Sequence, residues 1–114
     1  MPREITTHKV NALNEQLLLQ AMDEVDPAGL ALSYHVTWTN QRTATLGGLV
    51  VTFQDGTVDT AGVNGVSNEV LLSIVQDRLN TLQLSPTASS NYAQALTSVK
   101  EALFALEVEG EAQA

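Results

Sequence analysis

A chain of 114 residues with a net charge of -8 and no cysteine is long enough for one modest domain and excludes several classes of protein. Five basic residues argue against DNA, RNA or an anionic membrane as partner, because such partners need surfaces rich in lysine and arginine. The absence of cysteine excludes disulfides, thiolate nucleophiles and zinc–sulfur sites. We find neither a segment apolar enough to cross a membrane nor a signal-peptide pattern, so we expect a cytoplasmic protein.

The first half of the chain, residues 1–66, is predicted to consist mainly of strands. Residues 1–10 are polar and are expected to be loose. Residues 17–22 favour a strand, with a helix over 11–22 as the alternative. Residues 23–29 contain proline and glycine in a polar run and are typical of a turn.

The middle of the chain is predicted to form three further strands. Residues 30–39 alternate between apolar and polar side chains, which is typical of a half-buried strand with Leu32, Tyr34, Val36 and Trp38 on one face. A polar loop over 40–44 carries Arg42, and a strand over 46–54 follows. Asp55-Gly56 is a hairpin signal, so residues 57–63 are expected to pair back as another strand.

The second half of the chain, residues 67–108, is predicted to be a helical hairpin. The first helix spans 67–84 and is capped by the hydroxyl of its first residue, a serine. The second helix is capped by Ser89 or Ser90, extends to about Val108 and carries a smooth apolar stripe. The acidic end, residues 109–114, is expected to fray.

This order of elements predicts a single α+β domain, in which a small antiparallel sheet is followed by a C-terminal two-helix hairpin that packs on it. The two helices carry more apolar surface than one short sheet can cover. We therefore expect the chain to be oligomeric, with the hairpin as the interface.

Arg78 lies on the apolar face of the first predicted helix, among the side chains of Leu71, Ile74, Val75 and Leu82. A buried, unpaired charge costs several kcal/mol. Three alternatives follow: the guanidinium pairs with a carboxylate of its own fold, reaches water along its apolar stem, or binds an anionic ligand.

The chemistry-bearing residues do not assemble into a catalytic or metal site. His8 and His35 lack metal spacing to a second ligand, and a solvated strand histidine explains His35. Asp55 and Asp59 resemble a carboxylate pair, but the expected hairpin explains Asp55. The chain is therefore predicted to have no enzymatic activity, metal or cofactor.

A binding pocket can instead be assembled around the junction between the last predicted strand and the first helix. Phe53 offers a face on which a base can stack, and the amides of Asn64 and Asn68 suit an adenine edge. Helix N–H groups and arginines favour phosphate. Each residue has a structural alternative: core packing for Phe53, a left-handed turn for Asn64 and helix capping for Asn68. The candidate ligand-binding residues are Arg42, Phe53, Asn64, Asn68 and Arg78.

Three sequence blocks carry a family resemblance: Phe-Gln-Asp-Gly at 53–56, Ala-Gly-Val-Asn-Gly-Val-Ser-Asn-Glu at 61–69 and Asp-Arg-Leu at 77–79. They resemble small bacteriophage proteins related to the Thoeris anti-defence sponges, which share a helical hairpin with the anti-CBASS sponges. Less specific matches near both ends extend the resemblance over most of the chain, at residues 8–11, 23–24 and 93–103.

The resemblance implies a non-enzymatic role in the cytoplasm of the infected bacterium. Such proteins sequester cyclic ADP-ribose isomers, and some also bind cyclic di- or trinucleotides, which blocks the anti-phage defence. They are oligomeric, with dimers that assemble into hexamers in some members. The resemblance assigns ligand binding to the aromatic ring of Phe53, the amide of Asn64 and the guanidinium of Arg78. It supports the same assignment for Asn68 more weakly.

One departure concerns Ser90, where the family tends to carry an arginine near the start of the second helix. That difference leaves the affinity and the choice of ligand open.

Two further hypotheses compete with the sponge. One is a structural or partner-binding phage protein with no small ligand, in which Arg78 forms an intersubunit salt bridge. The other is a hydrolase of the same nucleotide, which the missing catalytic residues disfavour.

Overall fold

The computed structural model describes residues 2–22 and 32–113, with side chains up to residue 109. The chain forms two compact units, Met1–Val66 and Ser67–Ala114. The single domain expected from the sequence stays a prediction. The α+β class, with an antiparallel sheet followed by C-terminal helices, is confirmed. Packing of the helices on the sheet and the oligomeric state stay predictions.

The first unit contains a four-stranded antiparallel sheet in which each strand pairs with its neighbour in sequence. The strands are β1 (Arg3–Ile5), β2 (Leu18–Ala21), β3 (Ser33–Asn40) and β4 (Thr45–Thr52), and a short helix, α1 (Ala12–Glu15), lies between β1 and β2. The strands predicted over 17–22, 30–39 and 46–54 are thus found where the structure describes them. The turn predicted over 23–29 lies outside the described residues.

The alternation in β3 and β4 produces the predicted apolar face. Opposite one another lie Tyr34 and Val51, Val36 and Leu49, and Trp38 and Gly47. The Trp38 indole occupies the space beside Gly47, because a Cβ built on this glycine would lie only 2.5 Å from the indole Nε1. The glycine therefore leaves room for the single tryptophan on the sheet.

The expectation that residues 1–10 are loose is wrong. β1 pairs with β2 so that Glu4 lies opposite Gln20. Lys9 Nζ donates to Glu4 Oε1 at 3.0 Å, and His8 Nε2 lies 2.7 Å from the Leu17 carbonyl oxygen. The polar composition of residues 1–10 did not predict this strand. β1 is a short edge strand, and edge strands tolerate charged side chains.

The predicted hairpin at Asp55-Gly56 and the returning strand over 57–63 are also wrong. The segment contains a short helix, α2 (Val58–Ala61), and the chain returns to the sheet only at an isolated parallel bridge between Phe53 and Val66. A hairpin needs apolar alternation on both sides of its turn. Residues 57–63 lack that alternation, so no second strand forms.

The second unit is a helical hairpin of α3 (Asn68–Gln83) and α4 (Ser90–Gln113). The predicted caps are present: the hydroxyls of Ser67 and Ser89 accept the N–H groups of Val70 and Tyr92 at 3.2 Å and 3.1 Å. α4 continues to Gln113, so residues 109–113 are helical, and the expected fraying of 109–114 stays a prediction. Glutamate, alanine and glutamine at this end are good helix formers and extend the helix.

The single chain buries little apolar surface. Among the described residues only Ala21 is fully buried, at 1% exposure. In the hairpin, one side of each helix is half-buried, formed by Leu71, Leu72, Leu79 and Leu82 on α3 and by Leu96, Val99, Leu103 and Leu106 on α4. Large apolar side chains remain exposed in both units, among them Leu46, Leu49, Val50, Val70, Ile74, Val75, Phe104 and Val108. Such extensive exposure is typical of surfaces that associate.

Candidate functional site

The five predicted site residues are divided between the two units. Arg42, Phe53 and Asn64 belong to the sheet unit, whereas Asn68 and Arg78 belong to the helical unit. Their convergence on one pocket therefore stays a prediction. Their local geometry shows which of their polar and aromatic groups the fold already uses.

Arg42 lies in the exposed turn between β3 and β4. The Asn40 side-chain oxygen accepts the Arg42 N–H at 3.0 Å and the Thr43 N–H at 3.3 Å, which shapes the turn. The turn closes at Ala44, which adopts a positive φ of 58°. No carboxylate among the described residues pairs with the Arg42 guanidinium, so this cation is presented to solvent.

Phe53 continues from β4 and is half-buried. Its backbone N–H donates to the Leu32 carbonyl at 2.7 Å. Its ring meets the Tyr34 ring edge to face, with 5.6 Å between centroids and 84° between planes. Such a pair contributes about 0.5–1.5 kcal/mol beyond area burial. The ring thus has a structural contact, while the residue as a whole is only half-buried.

The loop after Phe53 is held by two interlocking side-chain amides. Gln54 Nε2 donates to the carbonyls of Gly56 at 3.2 Å and Gly62 at 2.7 Å, while its Oε1 accepts the Asn64 N–H at 2.9 Å. Asn64 in turn accepts the Asp55 N–H and donates to the Asp55 carbonyl, both at 2.8 Å. We call Gln54 and Asn64 the amide clamp. Asn64 retains one lone pair and one N–H for a ligand.

Gly65 lets the clamped loop close onto the sheet. A Cβ at this position would lie 2.4 Å from the Phe53 carbonyl carbon, which a real side chain cannot do. The absent side chain allows Val66 to donate to the Thr52 carbonyl at 2.8 Å and to accept the Gln54 N–H at 2.9 Å. The Asn64-Gly65 pair is typical of a tight turn and is visible in the sequence. The role of the Gln54 side chain in holding the loop could not be predicted from the sequence.

Replacing Asn64 by alanine is expected to destabilise the sheet unit by about 1–3 kcal/mol, because both Asp55 backbone groups lose their partner. Urea unfolding would measure the loss. The exchange Asn68→Ala is the control, since no described hydrogen bond involves the Asn68 side chain. Equal stability of the Asn64 variant and the parent would show that the clamp contributes nothing.

Replacing Phe53 by leucine separates its packing role from a stacking role. Leucine keeps most of the apolar volume, so the loss of stability should stay below about 1.5 kcal/mol. A stacked base would lose its aromatic partner, which corresponds to a loss of affinity of about 1–3 kcal/mol. Thermal unfolding and nucleotide titration on the same sample measure both. Unchanged affinity would remove Phe53 from the site.

Asn68 opens α3 and is exposed. The structural alternative for this residue was helix capping, but the preceding Ser67 performs that role through its hydroxyl. The Asn68 amide has no described partner at the helix N-terminus. It is thus available, beside backbone N–H groups that favour anions, for a ligand.

Arg78 is exposed rather than buried in the single chain. It lies in a row with Val70 and Ile74, spaced four residues apart along the outer side of α3, and Ile74 is 58% exposed. The sequence pattern places Arg78 among apolar side chains, but this part of the apolar arc, with Ile74 and Val75, is exposed in the single chain. No described carboxylate pairs with its guanidinium. Pairing within the described part of the chain is thereby excluded.

The sheet unit also contains an open cleft of about 400 Å³ that the sequence did not indicate. Its lining includes Leu13, Gln16, Trp38 and Gln41, so one aromatic ring and two amides meet there.

The histidine and carboxylate side chains do not form a metal site. Among the described residues, no three of His, Asp and Glu are close enough to hold a metal ion.

In comparisons with known proteins, no family model matches the chain, and no curated protein is detectably similar to it. None of the described helices combines the length and apolar character that a bilayer crossing requires. A functional proposal therefore depends on the residues themselves and on the resemblance of their motifs.

Proposed function

We propose that this protein is a non-enzymatic sponge that sequesters a cyclic immune signalling nucleotide. The proposed ligand is a cyclic ADP-ribose isomer, with cyclic di- or trinucleotides as further ligands. The sponge acts in the cytoplasm of the phage-infected bacterium, as a homodimer or homohexamer. Binding removes the signal from the defence effector without changing it chemically.

The observation that carries this proposal is the environment of Arg78. The chain has 13 acidic residues, yet no described carboxylate pairs with this guanidinium. The exposed side chains of Val70 and Ile74 lie beside it on the same helix. A cation next to apolar surface suits a ligand that combines phosphate with a flat base and sugar. Charge-assisted contacts from arginine to phosphate are among the strong ones.

The other candidate residues support a ligand of the same chemistry. The Arg42 guanidinium and the Asn68 amide have no described protein partner, and Phe53 is only half-buried. Asn64 contributes less than the sequence indicated, because its amide already binds the Asp55 backbone. We assign Asn64 a double role, in which it holds the loop and offers its remaining donor and acceptor to the ligand.

A structural or partner-binding role without a small ligand is the second candidate. It is favoured by the extent of exposed apolar surface and by the finding that only one of the described residues is fully buried. In that case, Arg78 pairs with a carboxylate of another subunit. The two candidates make different predictions for purified protein mixed with nucleotides.

The test is to mix the purified protein with a panel of cyclic ADP-ribose isomers and cyclic di- and trinucleotides. A sponge raises the melting temperature with at least one of them, and heating the complex releases the nucleotide intact, as chromatography of the supernatant would show. No thermal shift with any nucleotide supports the structural role. Loss of the nucleotide during incubation identifies a hydrolase instead.

A further inference from the structure

β4 is an unusually unprotected edge strand. Its eight residues, Thr-Leu-Gly-Gly-Leu-Val-Val-Thr, contain neither a charge nor a proline, and it lies at the end of the sheet. Edge strands normally carry charges, prolines or bulges, or are very short, because open backbone groups pair with other chains. β1, at the opposite end, follows that rule with three residues that include Arg3 and Glu4.

The hydrogen bonds show which β4 groups point outward. The Phe53 N–H donates to the Leu32 carbonyl, on the side of β3. Because antiparallel pairing alternates, odd-numbered β4 residues bond to β3 and even-numbered residues present their N–H and carbonyl groups at the open edge. The Thr52 carbonyl fits this pattern, since it accepts the Val66 N–H on the outer side.

The open part of the edge has definite ends. At one end, Val66 occupies the outer side of β4 through its bonds with Thr52 and Gln54. At the other end, Ala44 has a positive φ and belongs to the turn. Between them, no described residue pairs with the outward groups of Leu46, Gly48 and Val50. These three residues are exposed, Leu46 at 85% and Val50 at 62%.

We propose that β4 pairs antiparallel with β4 of a second copy, with Gly48 at the two-fold axis. In this register, Leu46 lies opposite Val50 of the second copy on both sides of the axis. It uses every open group from Leu46 to Val50, and about six inter-chain hydrogen bonds result. A register shifted by two residues would either meet Val66 at Thr52 or extend into the turn.

The side chains suit this pairing with a second copy rather than with a charged partner. Leu46 and Val50 lie on one face of β4, and their contacts across the strands bury apolar surface that is exposed in the single chain. The uncharged strand causes no repulsion when it meets its own copy. Gly48 is tightly placed, since a Cβ there would lie 2.9 Å from the Val36 carbonyl oxygen. This pairing of two β4 strands does not require a bound nucleotide.

The register can be tested with single-cysteine variants, because the chain contains no cysteine. Directly opposed, hydrogen-bonded residues have Cα atoms about 5.5 Å apart, within the range of a disulfide. We expect a mixture of L46C and V50C chains to form a mixed disulfide dimer under mild oxidation. Neither variant should cross-link with itself, because identical positions lie about 13 Å apart along the strands. Self-cross-linking of L46C or V50C, or no cross-link in the mixture, would overturn the proposal.

A second measurement does not depend on cysteine chemistry. Proline at position 50 removes only an outward N–H, so the sheet of each chain is expected to remain folded. In the parent protein, the Gly48 amide should exchange with solvent at least 100-fold more slowly than a turn amide such as that of Arg42. V50P should abolish this protection, whereas the control V50T, which keeps its N–H, should preserve it. Fast exchange at Gly48 in the parent would show that nothing, neither a second copy nor another partner, pairs with this edge.

Discussion

Replacing Arg78 by methionine is expected to weaken nucleotide binding about 100-fold, because a charge-assisted contact contributes about 3 kcal/mol at most. Stability should change little, since Arg78 is exposed and has no described carboxylate partner. Methionine is a good helix former and suits the neighbouring Ile74. Calorimetric titration and thermal unfolding of the variant measure the two effects.

Two control variants sharpen this result. Lys100→Met removes one positive charge from an exposed position on α4, so it reproduces the change in net charge without touching the candidate site. Its nucleotide affinity should equal that of the parent protein. Arg78→Lys keeps the charge but loses the planar pair of donors, and it should bind with intermediate affinity.

The opposite outcome is equally informative. If Arg78 pairs with a carboxylate of a neighbouring subunit, the methionine variant leaves that acid without a partner. The expected cost is then about 3–5 kcal/mol, seen as a lower melting temperature or as dissociation of the assembly. A stable variant with unchanged affinity would remove Arg78 from the ligand site altogether.

The strands that the sequence predicted correctly share one property, which is a clear apolar pattern. β3 alternates and β4 is rich in β-branched side chains, so local preference and sheet packing agree. The caps at Ser67 and Ser89 could be predicted because a helix N-terminus needs a local acceptor. The burial of helix side chains could not be predicted from the sequence in the same way. Ile74 and Arg78 lie on an apolar arc, yet both are exposed in the single chain.

The features that the sequence did not reveal depend on contacts between distant residues. The loop over 54–65 is held by the side chains of Gln54 and Asn64, ten residues apart. Asp55-Gly56 has the local composition of a hairpin, but the clamp and the close approach of Gly65 to Phe53 direct the chain into a loop with a short helix. Local patterns do not report such pairings, so the sequence indicated only a left-handed turn or a ligand contact for Asn64 and not its bonds to the Asp55 backbone.

The hairpin is expected to be an interface between copies, and charge placed on its exposed apolar side chains should break that interface. Ile74 on α3 is 58% exposed and Phe104 on α4 is 67% exposed. Neither side chain stabilises the single chain greatly. Burying each against another copy would contribute about 1.5–3 kcal/mol. We therefore expect I74D and F104D to reduce the mass of the assembly at least twofold by light scattering at micromolar concentration.

Matched controls separate this effect from the added charge itself. Asn80→Asp on α3 and Ser98→Asp on α4 also add one negative charge at exposed positions. Ser98 lies about 120° from Phe104 around the helix axis, so it marks a different side of α4. These controls should leave the mass unchanged. A parent protein that is monomeric at this concentration would overturn the expectation. Dissociation by the control variants would show that net charge, rather than the apolar surface at Ile74 and Phe104, governs the association.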